Sequence, residues 1–200
     1  MTDWLKNKIG KGVVIIATLG LMTTAASALP IVPTLVVGAG GSLSAIEDFG
    51  DSGTNFDFDE QALGYKVFAG IESNLGLPGV DPKLGFEVQY SDLGTFDLAN
   101  GQGELHGTTV GLSGRASVEL ANFLTLSGKA GMHFWNSDGE GPAAALSNAF
   151  DENDGTDFFF GLGTEFKIIP NVSIRAEWER FQFGDADLDV GTLSVVFKLF

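Results

Sequence analysis

The stretch Leu124-Thr125-Leu126-Ser127-Gly128-Lys129-Ala130-Gly131-Met132-His133-Phe134 decides the fold. In an extended chain, successive side chains point to opposite faces. One face then carries Leu124, Leu126, Gly128, Ala130, Met132 and Phe134, and the other Thr125, Ser127, Lys129, Gly131 and His133. A helical period would mix the two sets, so this is a strand with one apolar and one polar face. Working outward, the same alternation runs through Thr34–Leu43, Leu63–Glu72, Lys83–Tyr90, Thr109–Glu119, Asp157–Ile168, Val172–Arg180 and Gly191–Phe200. With Leu124–Phe134 these make eight expected β-strands.

Alternation alone leaves open which face meets the core, because a one-residue slip exchanges them. Three features decide it. The connections Ser73–Pro82, Leu120–Phe123 and Ile169–Asn171 are mostly short, whereas Ser44–Ala62, Ser91–Gly103, Trp135–Thr156 and Phe181–Val190 are longer. Long loops on one rim and short turns on the other suit an outer-membrane barrel. The longer connections also hold most of the acidic residues and no Lys or Arg, and every Lys and Arg after Lys11 falls in a strand. Finally, the polar faces nearly balance Lys66, Lys83, Arg115, Lys129, Lys167, Arg175 and Lys198 against Glu72, Glu87, Glu119, Glu165, Glu177 and Glu179. Paired charges belong in a narrow lumen, with the apolar faces in lipid. The expected architecture is an all-β, eight-stranded antiparallel up-and-down transmembrane β-barrel.

The 200 residues suffice for one domain. A formal charge of −15 argues against a nucleic-acid partner. The absence of Cys removes disulfide frameworks and thiolate sites, and 18% charged residues is low for a soluble surface. No GxGxxG, Walker A, HExxH or GxSxG motif occurs. At the N-terminus Lys6, Lys8 and Lys11 precede an apolar run from Val13 to Met22 and the small-residue end Ala26-Ser27-Ala28. Those are the parts of a signal peptide, and the run is about half the ~20 residues a spanning helix needs. Residues 1–28 are expected to be a cleaved signal peptide and 29–200 the barrel domain, exported to the outer membrane of a Gram-negative envelope.

Leu84-Gly85-Phe86-Glu87-Val88-Gln89-Tyr90 resembles the third strand of OmpA-like small outer-membrane β-barrels. Gly161-Leu162-Gly163-Thr164-Glu165-Phe166, followed by Ile169-Pro170-Asn171 and Ile174-Arg175-Ala176-Glu177-Trp178, resembles the same family. So does the ending Leu193-Ser194-Val195-Val196-Phe197-Lys198-Leu199-Phe200, which implies recognition by the assembly machinery through the strand ending at Phe200. The peptidoglycan-binding domain that follows the barrel in full-length relatives has no counterpart among these residues, so the resemblance implies no cell-wall tether. It does imply a lumenal ion-pair cluster of Glu87, Arg115, Glu165 and Arg175, with Lys129 and Glu177 as neighbours. Lys129 is expected to bridge the strands of Arg115 and Glu165. As a gate, such a cluster passes ions when it rearranges. As a plug, it fills an interior that eight strands leave just wide enough for side chains, and the plug is favoured.

No catalytic residue, metal or cofactor is assigned. A lipid-modifying barrel enzyme needs a His with a Ser and a carboxylate on its lipid face. By parity His133 faces the lumen, and His106 stands at a loop edge without an adjacent Ser, so both read as satisfied or solvated. The acidic runs Asp151–Asp157 and Asp185–Asp189 lack the EF-hand pattern, leaving weak divalent binding that bridges to lipopolysaccharide. The expected protein is a monomeric, non-enzymatic barrel among outer-membrane lipid and lipopolysaccharide, with a structural or surface-interaction role and at most slight permeability. The alternatives are a lipid A-modifying barrel enzyme and a soluble exported barrel that binds a hydrophobic ligand.

Overall fold

An amphipathic sheet in lipid must pair every backbone donor and acceptor, which an open edge cannot do. The computed structural model closes the sheet on itself. Its described residues are 33–48, 61–77, 82–97, 104–140, 154–183 and 186–199. The strands are β1 (Thr34–Asp48), β2 (Gln61–Asn74), β3 (Pro82–Asp97), β4 (Glu104–Ala121), β5 (Leu124–Glu140), β6 (Asp154–Ile169), β7 (Val172–Phe183) and β8 (Ala186–Leu199). Each pairs antiparallel with the next, and β1 pairs with β8 to complete a closed eight-stranded barrel. Residues 1–28 and Phe200 lie outside the described residues, so the signal-peptide and terminal-Phe expectations are not addressed by the fold.

The faces settle the solvent. Leu63 is 82% exposed, Phe86 67% and Leu162 63%, and Leu193, Leu112 and Phe134 stand outward with them. Lys66 and Arg175 are 1% exposed and Glu179 is fully enclosed. A soluble barrel would reverse this distribution, so the reading as a soluble ligand-binding barrel is set aside.

The strands outrun the alternating segments, chiefly toward the rim of the longer connections. β5 continues from Phe134 to Glu140 and β3 from Tyr90 to Asp97. The connection read as Phe181–Val190 is mostly strand, since β7 ends at Phe183 and β8 begins at Ala186. Lipid on one side and a polar lumen on the other create the alternation, and near that rim neither condition holds. Leu93, Phe96, Phe159, Phe181, Leu188 and Val190 instead pack inside the barrel as an apolar layer. A bulge between Asp92 and Gly94 inverts the parity of β3 so that Phe96 turns inward. Gly94 takes φ +88 there, a backbone that residues with a Cβ seldom adopt, and its N–H donates to Asp92 Oδ1 at 2.9 Å.

Candidate functional site

The lumen between this apolar layer and the short-turn rim is charged. β7 contributes Arg175, Glu177 and Glu179 at alternate positions, all inward, and β3 contributes Glu87 and Gln89. β2 supplies Lys66, β4 Arg115, β5 Lys129 and β6 Glu165. One period-2 strand can therefore aim three ionic groups into the same channel, which is why a single segment dominates the cluster.

Two carboxylates act as hubs. Glu87 accepts from Lys129 Nζ at 2.9 Å and from Arg175 Nη1 at 2.8 Å. Glu177 accepts from Lys66 Nζ at 2.6 Å and from Arg115 Nη1 at 2.9 Å. Between the hubs, Lys129 Nζ lies 2.8 Å from Glu179 Oε1 and 3.5 Å from Glu177 Oε1, and donates to Gln89 Oε1 at 2.7 Å. Lys66 Nζ also reaches Glu179 Oε2 at 2.6 Å. Toward the short-turn rim, Arg175 donates through Nε and Nη2 to Glu165 Oε2 at 3.2 and 3.1 Å. Lys198 then joins Glu165 Oε1 at 2.8 Å to Glu72 Oε1 at 3.1 Å. The guanidinium of Arg175 also rides 4.7 Å from the Phe68 ring centroid. Gly38 makes room for that ring, since a Cβ there would collide with it.

All six residues named from sequence enter this one network. Lys66, Gln89, Glu179 and the Lys198–Glu72 end were not named with them. Lys66, Glu179, Lys198 and Glu72 were legible as polar-face residues, but their heights in the barrel depend on the stagger of eight ladders. The expected bridge of Lys129 between the strands of Arg115 and Glu165 is replaced by one between β3 and β7. Its flexible stem crosses the narrow lumen to carboxylates opposite, whereas Arg115 beside it on β4 is itself a cation. Arg115 uses Nη2 to donate to Ser127 Oγ at 2.6 Å.

Near the long-loop rim His133 is enclosed among Phe159, Phe181 and Phe183, with ring centroids 6.0, 5.0 and 5.1 Å away. Its Nε2 lies 2.8 Å from the Gln182 carbonyl, so that nitrogen donates, while Nδ1 accepts from Thr109 Oγ1 at 2.9 Å. His106 faces outward, with Nε2 3.2 Å from Asp92 Oδ1. Of the acidic runs, residues 151–153 and 185 lie outside the described residues. Asp157 accepts from Trp135 Nε1 at 2.8 Å, and Asp189 holds Arg180 in a two-pronged pair at 2.7 and 2.6 Å. Both carboxylates thus already have protein partners.

A family model described as outer membrane protein beta-barrel domain matches residues 15–199. Outer membrane protein A of Shigella flexneri is 27% identical over 185 residues, covering 90% of this chain and 50% of that protein. Outer membrane protein A of Salmonella typhi is 27% identical over 193 residues, covering 92% and 53%. The chain therefore spans about half the length of these curated relatives. The crystal structure of Ail, the attachment invasion locus protein of Yersinia pestis, superposes with a TM-score of 0.58 at 14% identity. That match covers 83% of this chain and 98% of Ail and supports the barrel fold.

Proposed function

This chain belongs to the outer membrane protein β-barrel domain family, and from that premise we propose that it is a non-catalytic, ion-plugged barrel with a structural or surface-interaction role in a Gram-negative envelope. Its permeability is at most slight. The observation that carries this reading is the uninterrupted run of short ion pairs from Glu179 and Lys66 through Glu87 and Arg175 to Lys198, capped at the long-loop rim by stacked Phe159 and Phe181. An ion entering such a lumen must displace a bonded partner and also cross an apolar layer, and both steps cost free energy.

The acidic connections imply the nature of the surroundings. They carry no Lys or Arg, so phosphate-bearing lipopolysaccharide approaches them only with divalent cations between, while cationic surfaces approach freely. Residues 1–28 are removed on export, the C-terminal strand β8 with the chain end at Phe200 is what the assembly machinery recognises, and the barrel works as a monomer in outer-membrane lipid. The test is a planar-bilayer recording on the refolded mature chain. Openings that are rare and small support a plugged barrel, whereas steady porin-like conductance refutes it.

A lipid A-modifying enzyme is the second reading, and the outward His106–Asp92 pair is what favours it. Unchanged lipid A masses in a deletion strain dismiss it; a shift restored by the wild-type chain and not by His106→Ala establishes it.

A further inference from the structure

Three inward hydroxyls of the lumen are bonded: Thr109 meets His133, Ser113 donates to the Glu87 carbonyl, and Ser127 meets Arg115. Ser137 on β5 has no such partner, and on another wall the unpaired hydroxyls gather. Ser42 and Ser44 on β1, Ser91 on β3, and Thr192 and Ser194 on β8 are each 5% exposed or less, and their hydroxyl oxygens have no protein partner. Ser42 stands opposite Thr192 and Ser194 opposite Gly40, so the four hydroxyls of the paired β1 and β8 form one patch, while Ser91 stands opposite Lys66 on the far side of β2. A Cβ on Gly40 would collide with Ser194 Oγ, and one on Gly64 would lie 3.0 Å from Ser42 Oγ, so these two hydroxyls lie over bare backbone. Apolar groups close the patch at both ends: Ala62, Leu93, Leu188 and Val190 toward one rim, Val36, Phe68 and Val196 toward the other.

A hydroxyl is both a donor and an acceptor, and leaving one unpaired in a buried site is costly. The shared occupant of this wall must therefore donate and accept. A cation is disfavoured by Lys66 and Arg175, which face Ser91 and Ser194 across the ladders, and an anion by Glu177, which faces Thr192. We propose that the wall binds a cluster of ordered water molecules that ties β1 to β8. Four of its five hydroxyls sit on these two strands, whose pairing joins the ends of the sheet and closes the barrel. The closing seam is thus held by its backbone ladder and, on the lumenal side, by bridging water.

The test uses the wild-type chain, Thr192→Val and Ser42→Ala, refolded into detergent micelles. Thr192→Val keeps the side-chain shape and removes only the hydroxyl. Wild type should show water–protein magnetisation transfer at residues 40–44 and 192–194, persistent enough to mark bound rather than diffusing water. Both variants should lose it, unfold at lower urea, and exchange amide hydrogens of the β1–β8 ladder about tenfold faster, with the β4–β5 ladder unchanged. The opposite sign overturns the proposal, because a truly unpaired hydroxyl replaced by a methyl stabilises the protein. Absence of water contacts in wild type overturns it without any variant, and so does equal acceleration of both ladders.

Discussion

Near its long-loop rim the lumen is filled by stacked rings and aliphatic chains; from its middle to the short-turn rim it is filled mainly by charge. Phe159 and Phe181 lie 5.1 Å apart with planes 9° from parallel, roofed by Leu93, Leu188 and Val190. Below them Arg175 is fixed by Glu87 and Glu165, and Lys129 by Glu87 and Glu179. The two fillings fail differently. An apolar layer depends on volume, and a neighbour can lean into a small gap. An ionic network depends on pairing, and loss of one member leaves another charge enclosed without its counterion. The charged half should therefore be the more brittle, though both close the lumen.

The strongest test of that contrast is Arg175→Ala, which removes the cation shared by Glu87 and Glu165 and leaves each with a single close cationic partner, Lys129 and Lys198 respectively. It should cost about 3–5 kcal/mol, less if water enters, measured by urea unfolding in lipid bilayers. A loss under 1 kcal/mol would show that the charges are already well hydrated. Leu162→Arg carries the comparison to the outer wall, where a cation meets lipid with no carboxylate waiting. About 2–4 kcal/mol is expected near the bilayer midplane, and no loss would mean that this face is not in lipid.

Phe181→Leu removes part of the stacked layer while keeping most of its volume, so about 1 kcal/mol is expected. Its single-channel conductance should stay at the wild-type level, as should that of Arg175→Ala, because each leaves the other filling in place. Conductance should rise only when the two changes are combined. A pore opened by either change alone would assign the barrier to that half. The smallest effect belongs to Arg180→Ala. Its partner Asp189 is also partly exposed at the outer wall, so the loss should be below about 1 kcal/mol and shrink further in high salt. Equality with Arg175→Ala would erase the distinction between enclosed and rim pairs. The pairing of Arg180 with Asp189 across β7 and β8 gives its guanidinium a carboxylate at the outer wall.

The fold class was readable because lipid and lumen impose opposite demands on successive residues. Leu126 and Lys129 could be assigned to opposite faces without any knowledge of their neighbours, and so could Trp178 and Glu179. The same parity marked Lys66, Glu87, Arg115, Lys129, Glu165, Arg175, Glu177 and Glu179 as sharing an interior. Their partners were not readable. Whether Lys129 meets Glu165 or Glu87 depends on the stagger accumulated around eight ladders and on which stems can cross the lumen, and neither is a property of one strand. The long-loop end was obscured for a related reason. Phe159, Phe181, Leu188 and Val190 point inward although they are apolar, so a rule built on polar interiors read residues 181–190 as a connection. Within the alternating segments, sequence alone determined which side of the wall a residue occupies, because that follows from a two-residue period. Only the closed barrel decided which residues touch, because contact across a lumen follows from register and closure.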